Sequence, residues 1–203
     1  MQENSQLSRL QLAVTSSIVN FTELVTFILA DCSMILVQFS KGHDGYSNAA
    51  FYQPWSVMQQ GFNDSYGNYW IGLDRLHNLT STGNYTLLIN LWGTGWELFT
   101  VQYSTFTVGN ASSKYVLHQG GYNGTVGDCL AYNEGMKFCT YDDDATAICA
   151  DYDDGSWWYS TNYYPCTTAG LNNYKSYGDG FVWSCGSLGN KELFQSEMWL
   201  LCP

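Results

Sequence analysis

Two acidic clusters flanked by cysteines are the part of the sequence best suited to chemistry. Three consecutive aspartates at 142–144 lie between Cys139 and Cys149, and a second acidic cluster follows at 151–154. Adjacent carboxylates repel one another, so such a run is stable when it is solvated or when a cation neutralises it. Oxygen ligands in a loop suit Ca²⁺. On residue types alone, the segment can be interpreted either as a solvated acidic loop or as a metal site.

The cysteines suit disulfides better than a structural zinc site. There are seven, none in a C-x-x-C pair, and only three histidines accompany them, so the usual zinc-ligand spacing is missing. Disulfides indicate an oxidising compartment. Six N-x-S/T sequons point the same way; they begin at Asn20, Asn63, Asn78, Asn84, Asn110 and Asn123. The odd cysteine count leaves one thiol over, or one cysteine pairing between chains.

Composition and charge limit the class of protein and its partners. A chain of 203 residues with 45% hydrophobic content fits one folded domain, or a domain and a tail. The formal charge of −11 argues against nucleic acid and anionic membranes as partners. No Ser/His/Asp motif, nucleophile elbow or phosphate loop occurs, so we expect no enzyme. Residues 1–31 are interpreted as a weak signal-like or unassigned segment. Polar residues interrupt this segment too often for membrane insertion.

The pattern of the remaining chain predicts an antiparallel sheet with two small helices, an α+β arrangement. A short helix is expected over 51–62, with Pro54 in its first turn and Gly61 at its stop. A second is expected over 73–79. Strands are predicted at 35–38, 85–92, 96–107 and 115–118, and closing strands at 181–183 and 194–201. Alternation places Val101, Tyr103 and Thr105 on one buried face.

Several short motifs, in a fixed order, resemble one known family. F-C-T-Y-D-D-D at 138–144 and G-S-W-W-Y at 155–159 resemble the calcium-loop region of the fibrinogen C-terminal globular domain family. Y-W-I-G-L-D at 69–74, S-T-F-T-V-G at 104–109 and D-G-F-V-W at 179–183 keep the family's order. Each motif alone is weak, but the ordered set is specific. The resemblance covers about 32–203 of the 203 residues.

This resemblance implies a fold and its crosslinks. The fold would be a central twisted antiparallel sheet with short helices, followed by an irregular, disulfide-held C-terminal subdomain. Cys149 and Cys166 correspond to the family's C-terminal disulfide. Cys32 corresponds to the second cysteine of its N-terminal disulfide, whose first cysteine is missing here, so the N-terminal subdomain is expected to be truncated and Cys32 to be the odd thiol.

The pairing of the other four cysteines is not determined by the sequence, since four cysteines allow three connectivities. Cys129 and Cys139 flank a turn at 133–135 and are candidates to pair across it. Cys185 and Cys202 lie on the two predicted closing strands and are candidates for a second pair.

The resemblance also implies a calcium site and a ligand pocket. The calcium ligands would be the carboxylates of Asp142 and Asp144, with carbonyls near Thr146 and Ile148. The loop is shorter than in the family and Ala and Thr replace later polar positions, which favours weak binding or none.

The ligand pocket would lie beside this loop, where ficolin-like members bind acetylated sugars and fibrinogen binds a short peptide. Cys166-Thr167 stands in place of the family's Cys-His pair. Tyr163 and Tyr164 are suited to stacking on sugar rings, or to covering the disulfide. Trp157-Trp158 is expected to be structural, because large aromatic rings are buried far more often than they line sites.

Together these observations predict a secreted, non-enzymatic recognition module that binds glycans or acetylated groups in a lectin-like manner. The alternative is an extracellular protein–protein interaction module of adhesion or receptor-ligand type, binding neither sugar nor calcium. A degenerate paralogue without a ligand is a third class. A homo-oligomer is compatible with all three. The predicted glycosylation sites are Asn63, Asn78, Asn84, Asn110 and Asn123.

Overall fold

A computed structural model describes residues 34–41, 49–143, 147–161, 165–175, 180–188 and 192–202. The chain divides into two compact units, residues 1–35 and 36–203. Apart from the first two residues of the first strand, every described residue belongs to the second unit. Five of the predicted site and thiol residues lie outside the described ranges: Cys32, Asp144, Thr146, Tyr163 and Tyr164. Within those ranges, no helix has the length and apolar character needed to cross a membrane.

The described residues form eleven strands and three α-helices. The strands are β1 Met34–Lys41, β2 Phe62–Asn63, β3 Tyr69–Trp70, β4 Thr86–Gly93, β5 Leu98–Val108, β6 Leu117–Gly124, β7 Phe138–Cys139, β8 Trp157–Trp158, β9 Ala169–Lys175, β10 Gly180–Trp183 and β11 Leu193–Leu201. The helices are α1 Trp55–Gln60, α2 Leu73–Thr82 and α3 Ala147–Tyr152. Short 3₁₀ turns occur at Ala49–Phe51, Ala111–Ser113, Leu130–Asn133 and Gly186–Leu188.

Seven strands form the main sheet in the order β2-β3-β1-β11-β4-β5-β6, while β9 pairs with β10 and β7 with β8. Every pairing whose register is described is antiparallel. The predicted α+β fold, with its antiparallel sheet and short helices, is confirmed. The last strand, β11, lies inside the sheet between β1 and β4, so residues near the carboxyl terminus complete the core.

Strict alternation of apolar residues explains the centre of this sheet. Leu87, Ile89 and Leu91 of β4 are fully buried and their neighbours along the strand are not. Ile89 lies opposite Met198 of β11 and Val101 of β5, both also fully buried. One face of the three strands therefore forms a continuous apolar layer.

The alternation predicted for β5 is correct only in its first half. Val101 and Tyr103 are buried, but Thr105 is exposed and Phe106 is buried instead. The change of phase lies opposite Gly121 of β6, which has a φ of 68°. A Cβ on Gly121 would lie 1.9 Å from the Ser104 hydroxyl, so only glycine fits this irregularity.

Both predicted helices are present with different ends. Residues 51–62 contain α1 only at 55–60, because Pro54 precedes the helix with an extended backbone, and Gly61 ends it at a φ of 90°. Helix α2 continues to Thr82 rather than 79. Thr80 explains the extension: its hydroxyl donates to the Leu76 carbonyl and accepts from the Val108 amide, which ties the last turn to β5.

Candidate functional site

The Cys149–Cys166 disulfide closes the segment that contains the tryptophan pair. Its Cα atoms lie 5.6 Å apart and both cysteines are buried. Cys149 lies on α3, and Cys166 lies on the far side of β8 in the chain. This is the pairing that the family resemblance implies.

The second crosslink differs from the sequence expectation. Cys129 pairs with Cys185, at a Cα–Cα distance of 5.3 Å, so the expected pairs Cys129–Cys139 and Cys185–Cys202 are both wrong. The reason is a close approach of two loops at Gly127 and Gly186, both at positive φ. A Cβ on Gly127 would lie 2.8 Å from the Cα of Gly186, so the loops meet only because neither residue has a side chain.

Among the cysteines that the structure describes, Cys139 is in no disulfide, and it is 1% exposed. It lies on β7 opposite Trp157, and its thiol donates to the Thr140 carbonyl. Cys202 is disulfide-bonded. The expectation that Cys32 is the odd thiol concerns a residue outside those ranges.

The tryptophan pair is structural, as predicted. Trp157 and Trp158 are fully buried. The Trp158 indole N–H donates to the Tyr115 carbonyl over 2.8 Å, and its ring meets the Phe138 ring edge-on at a centroid distance of 5.0 Å. These contacts attach β8 to the segment that precedes β6 and to β7.

Two carboxylates of the acidic loop bond within the protein. Asp142 accepts from the backbone N–H of Trp55, at 2.9 Å, and from the Thr140 hydroxyl, at 2.7 Å. Asp143 forms an ion pair with Lys114, with its two oxygens 3.1 and 3.2 Å from the ammonium nitrogen. The run of aspartates is therefore neutralised in part by a helix start and a lysine.

The hydrogen bonds of Asp142 and the ion pair of Asp143 limit how well the described residues can bind calcium. Ca²⁺ takes six to eight oxygen ligands. Asp142 and Asp143 already have protein partners, and Ile148 lies in the first turn of α3, where a carbonyl normally accepts a helical hydrogen bond. No group of three or more His, Cys, Asp or Glu able to hold a metal occurs in the part of the chain that the structure describes. The described donors do not fit a calcium site, and Asp144 and Thr146 lie outside the described ranges.

Thr167, predicted to line the pocket, is 7% exposed. Its hydroxyl donates to the Ala169 carbonyl and accepts from the Ala169 amide and from the Asn133 side-chain amide. Asn133 also donates to the Trp158 carbonyl over 2.6 Å. The side chains of Thr167 and Asn133 thus join the pocket segment to the tryptophan segment.

A surface of aromatic and acidic side chains lies beside the acidic loop, and of its residues only Asp142 and Ile148 were named as predicted site residues. The rings of Tyr52 and Tyr141 stack at a centroid distance of 4.6 Å. Ile148 and Tyr152, four residues apart on α3, are 54% and 58% exposed. We call Tyr52, Tyr141, Ile148, Tyr152 and the nearby aspartates at 142, 151 and 154 the α3 surface.

Tyr52 and α3 are joined by a charge-assisted hydrogen bond. The Tyr52 hydroxyl donates to Asp151 over 2.6 Å. This bond, with partial burial and the negative charges of Asp151 and Asp154, raises the pKa of Tyr52 to about 12. The Ile148–Tyr152 spacing was available in the sequence as a helical i, i+4 pair. Tyr52 was not, because 99 residues separate it from Asp151.

A shallow cavity of about 410 Å³ lies elsewhere, at the carboxyl end of α2. It is lined by residues 80–84 and 107–109 and by His118; none of these was predicted to bind a ligand, and Asn84 was predicted to be glycosylated. The sequon residues Asn78 and Asn110 are close in sequence to its walls. Glycans on these residues would crowd its mouth, so we place the candidate site at the α3 surface instead.

A seven-stranded sheet with short helices and a crosslinked irregular carboxyl half defines a fibrinogen-like globe. The fibrinogen-like globe domain of human ANGPTL6 has a TM-score of 0.70 at 29% identity, over 84% of this chain and 78% of that one. The corresponding domain of human ANGPTL2 has a TM-score of 0.70 at 30% identity, over 84% and 81%. A lamprey fibrin D-dimer, solved with the peptide Gly-His-Arg-Pro-amide, has a TM-score of 0.69 at 24% identity, over 83% of this chain and 61% of that one, and shows the fold alone.

The chain belongs to the family of the C-terminal globular domain of fibrinogen beta and gamma chains, which matches residues 16–200. Fibrinogen-like protein A of Apostichopus parvimensis is 39% identical over 66% of this chain and 48% of its own length. Tenascin-R of Gallus gallus is 36% identical over 70% of this chain and 10% of its own length. Human Angiopoietin-related protein 2 is 38% identical over 58% and 24%. The chain thus spans about half or less of the length of these relatives.

Proposed function

We propose that the chain is an extracellular, non-enzymatic recognition module that binds its ligand through the α3 surface. Family membership, the two described disulfides and the sequons support an extracellular module. The tenascin and angiopoietin-related relatives are extracellular proteins. None of the proposal depends on calcium, since the described carboxylates bond within the protein.

The observation that carries the proposal is the exposure of aromatic rings beside unburied carboxylates. Tyr141 is 36% exposed and Tyr152 is 58% exposed, whereas Tyr103, Tyr115 and Tyr159 are buried. An exposed ring offers its face to the apolar side of a sugar or to an acetyl methyl group, and neighbouring carboxylates accept hydrogen bonds from sugar hydroxyls. We therefore assign glycans with N-acetyl groups as the ligand class.

A glycan array and a titration with N-acetylglucosamine test this ligand class. Tyr141→Ala and Tyr152→Ala should each weaken retention at least about tenfold, as loss of a stacking contact worth roughly 1.4 kcal/mol would do. Tyr66→Ala is the matched control, because Tyr66 is 69% exposed on a different part of the chain, the turn between β2 and β3. Equal loss in all three variants, or no retention of any glycan by the native chain, would contradict the assignment.

A protein ligand is the second candidate, and Ile148 favours it. An aliphatic side chain that is 54% exposed offers nothing to a sugar hydroxyl, but it suits an apolar contact with a polypeptide. The net charge of −11 and the aspartates around α3 would attract a basic partner. Binding of this kind should weaken as salt rises and should be lost in Ile148→Asp, whereas N-acetyl sugars should not compete with it.

A further inference from the structure

The two edges of the main sheet are the places where a second chain could add a strand. In the described part of the chain, β2 and β6 stand at the ends of the strand order. An edge strand presents unpaired backbone N–H and C=O groups, and proteins usually protect such edges by charge, covering loops or short strands. Neither edge carries a lysine: β2 is Phe62–Asn63, and β6 reads L-H-Q-G-G-Y-N-G.

The first part of the β6 edge is covered from within the chain. The Leu117 amide donates to the Met136 carbonyl, and the Leu117 carbonyl accepts from the Gly135 amide. The Gln119 amide donates to the Glu134 carboxylate over 2.6 Å. Residues 120–124, which come next along β6, have no described strand on their outer side. Among the residues that the structure describes, the open part of the β6 edge is therefore this second half.

Each edge strand carries one sequon asparagine. Asn63 lies on β2 opposite Tyr69 of β3, and Asn123 lies on β6 opposite Gln102 of β5. Both asparagines are exposed. Their sequons are Asn63-Asp64-Ser65 and Asn123-Gly124-Thr125. We infer that N-glycans on Asn63 and Asn123 close the two edges of the sheet against pairing with a second copy of this chain.

Geometry explains why a glycan would be effective there. An added strand would lie about 4.8 Å from the edge strand. A branched oligosaccharide on an edge residue is bulky and would hinder the approach of a second chain to that position. The two edges differ in how much they need it. A two-residue strand is a poor template for pairing, whereas the eight-residue β6 has an open half. Asn123 is therefore the more important site, and Asn63 the lesser one.

Sequon-breaking variants that keep the asparagine test the inference. Thr125→Ala removes the sequon of Asn123, while Thr125→Ser keeps it, so the pair differs in glycan occupancy with little change to the edge itself. Ser65→Ala and Ser65→Thr form the same pair for Asn63. Each full-length variant is secreted from a eukaryotic host, its occupancy is mapped by mass spectrometry, and its self-association is measured by light scattering.

We expect Thr125→Ala to self-associate at about tenfold lower concentration than Thr125→Ser, a change equal to about 1.4 kcal/mol. Ser65→Ala should show a smaller shift. The control Asn78→Gln/Asn84→Gln loses two glycans from α2 and the following turn, and it should stay as monomeric as the native chain. Asn123→Lys, which lacks the glycan but adds an edge charge, should recover most of the monomer.

A second measurement removes the risk that a variant fails to fold. Trimming the glycans enzymatically from the folded native protein should lower the self-association concentration in the same way. Amide hydrogen exchange should then slow over 120–124. Unoccupied Asn63 and Asn123 in the secreted protein, or association in the Asn78/Asn84 control equal to that of Thr125→Ala, would overturn the inference. The inference about the sheet edges shares only the secretory route with the proposed function. A glycan array without binding would therefore contradict the proposed function but not this inference.

Discussion

The chain is stabilised in different ways before and after residue 125. Strands β4, β5 and β6 before it, joined by β11, hold one another by long antiparallel ladders and an alternating apolar face. Between 125 and 188 the ladders are short: β7 and β8 pair over two residues, and β9 with β10 over a few. Two disulfides lie in this irregular half. In the irregular half, where few backbone groups pair in strands, the two disulfides take over part of the stabilisation that strand pairing provides in the sheet.

Side chains in the irregular half also replace a missing ladder. Buried backbone carbonyls need donors wherever they lie. Asn133 donates to the Trp158 carbonyl, Asn172 to the Ser156 carbonyl, and Thr168 to the Cys129 carbonyl. In the centre of the sheet the same need is met by neighbouring strands. We therefore expect single polar substitutions to be more destabilising in the irregular half than in the sheet.

The largest effect should come from the crosslinks. Cys129→Ser/Cys185→Ser opens a loop with a sequence separation of 56 residues, and Cys149→Ser/Cys166→Ser opens one of 17. The chain-entropy model gives losses of about 4 and about 3 kcal/mol in the free energy of unfolding. Urea denaturation of both double variants measures the difference. Cys139→Ala serves as the control, because it removes a cysteine without opening a loop; a loss there as large as in either pair would contradict this account.

The next effect compares two asparagines. Asn133→Ala leaves the Trp158 carbonyl without its side-chain donor and removes one of the two donors to the Thr167 hydroxyl, and it should lower the unfolding free energy by about 2 kcal/mol. Asn90 of β4 is only half-buried and bonds Thr100 and Glu197 on the sheet surface, so Asn90→Ala should lose about 0.5 kcal/mol. Thermal unfolding of the pair distinguishes them. Equal losses would mean that side-chain bonds matter no more in the irregular half than in the sheet.

The same division separates what the sequence predicted from what it did not. Alternation correctly placed Val101 and Tyr103 on one buried face because a regular strand has a period of two residues. Helix α2 followed from local pattern, apart from its last turn, which depends on the contact between Thr80 and β5. These features arise within a few residues of chain, so a single sequence contains them.

Long-range contacts in the irregular half have no local signal. The Cys129–Cys185 pairing depends on the approach of Gly127 and Gly186, and neither glycine stands in a pattern that predicts it. The α3 surface needs Tyr52, which comes from the other end of the described chain. Cys149–Cys166 followed only from the family resemblance, because the cysteine spacing alone leaves several pairings open.

Loss of the Asp142 side chain should lower the free energy of unfolding by less than loss of Asn133, and it tests whether the acidic loop binds calcium. Asp142→Ala removes the acceptor for the exposed Trp55 amide and for the hydroxyl of the buried Thr140, and it should lower the unfolding free energy by about 1 kcal/mol. Because this loss concerns hydrogen bonds within the protein, it should be equal in Ca²⁺ and in EDTA. Calorimetry under both conditions measures it. A loss seen only with Ca²⁺ would instead show that Asp142 is a metal ligand.

The smallest effect at neutral pH concerns two tyrosines that both precede residue 125: Tyr115, which lies beside the sheet, and Tyr52, whose hydroxyl bonds to the irregular half. Tyr115, between β5 and β6, is fully buried and its hydroxyl donates to Asp74. Burial, and then this hydrogen bond, raises its pKa to about 12. Tyr52 on the α3 surface has a pKa of about 12 through its bond to Asp151. In the unfolded chain both should ionise with a pKa near 10.

A pKa that is higher in the folded state stabilises the protein fully below the unfolded value, and this contribution is lost as pH rises through the folded value. Both tyrosines therefore contribute nothing to the pH dependence at neutral pH, where both states keep the proton, and both destabilise the fold between about pH 10 and 12. Tyr52→Phe should reduce this alkaline loss slightly, since Tyr52 is only partly buried, and Tyr115→Phe should reduce it more, since Tyr115 is fully buried. Denaturation at successive pH values, with tyrosinate absorbance as a second signal, measures both. A larger change in Tyr52→Phe than in Tyr115→Phe would reverse the order, and it would place the stronger proton coupling on the α3 surface rather than beside the sheet.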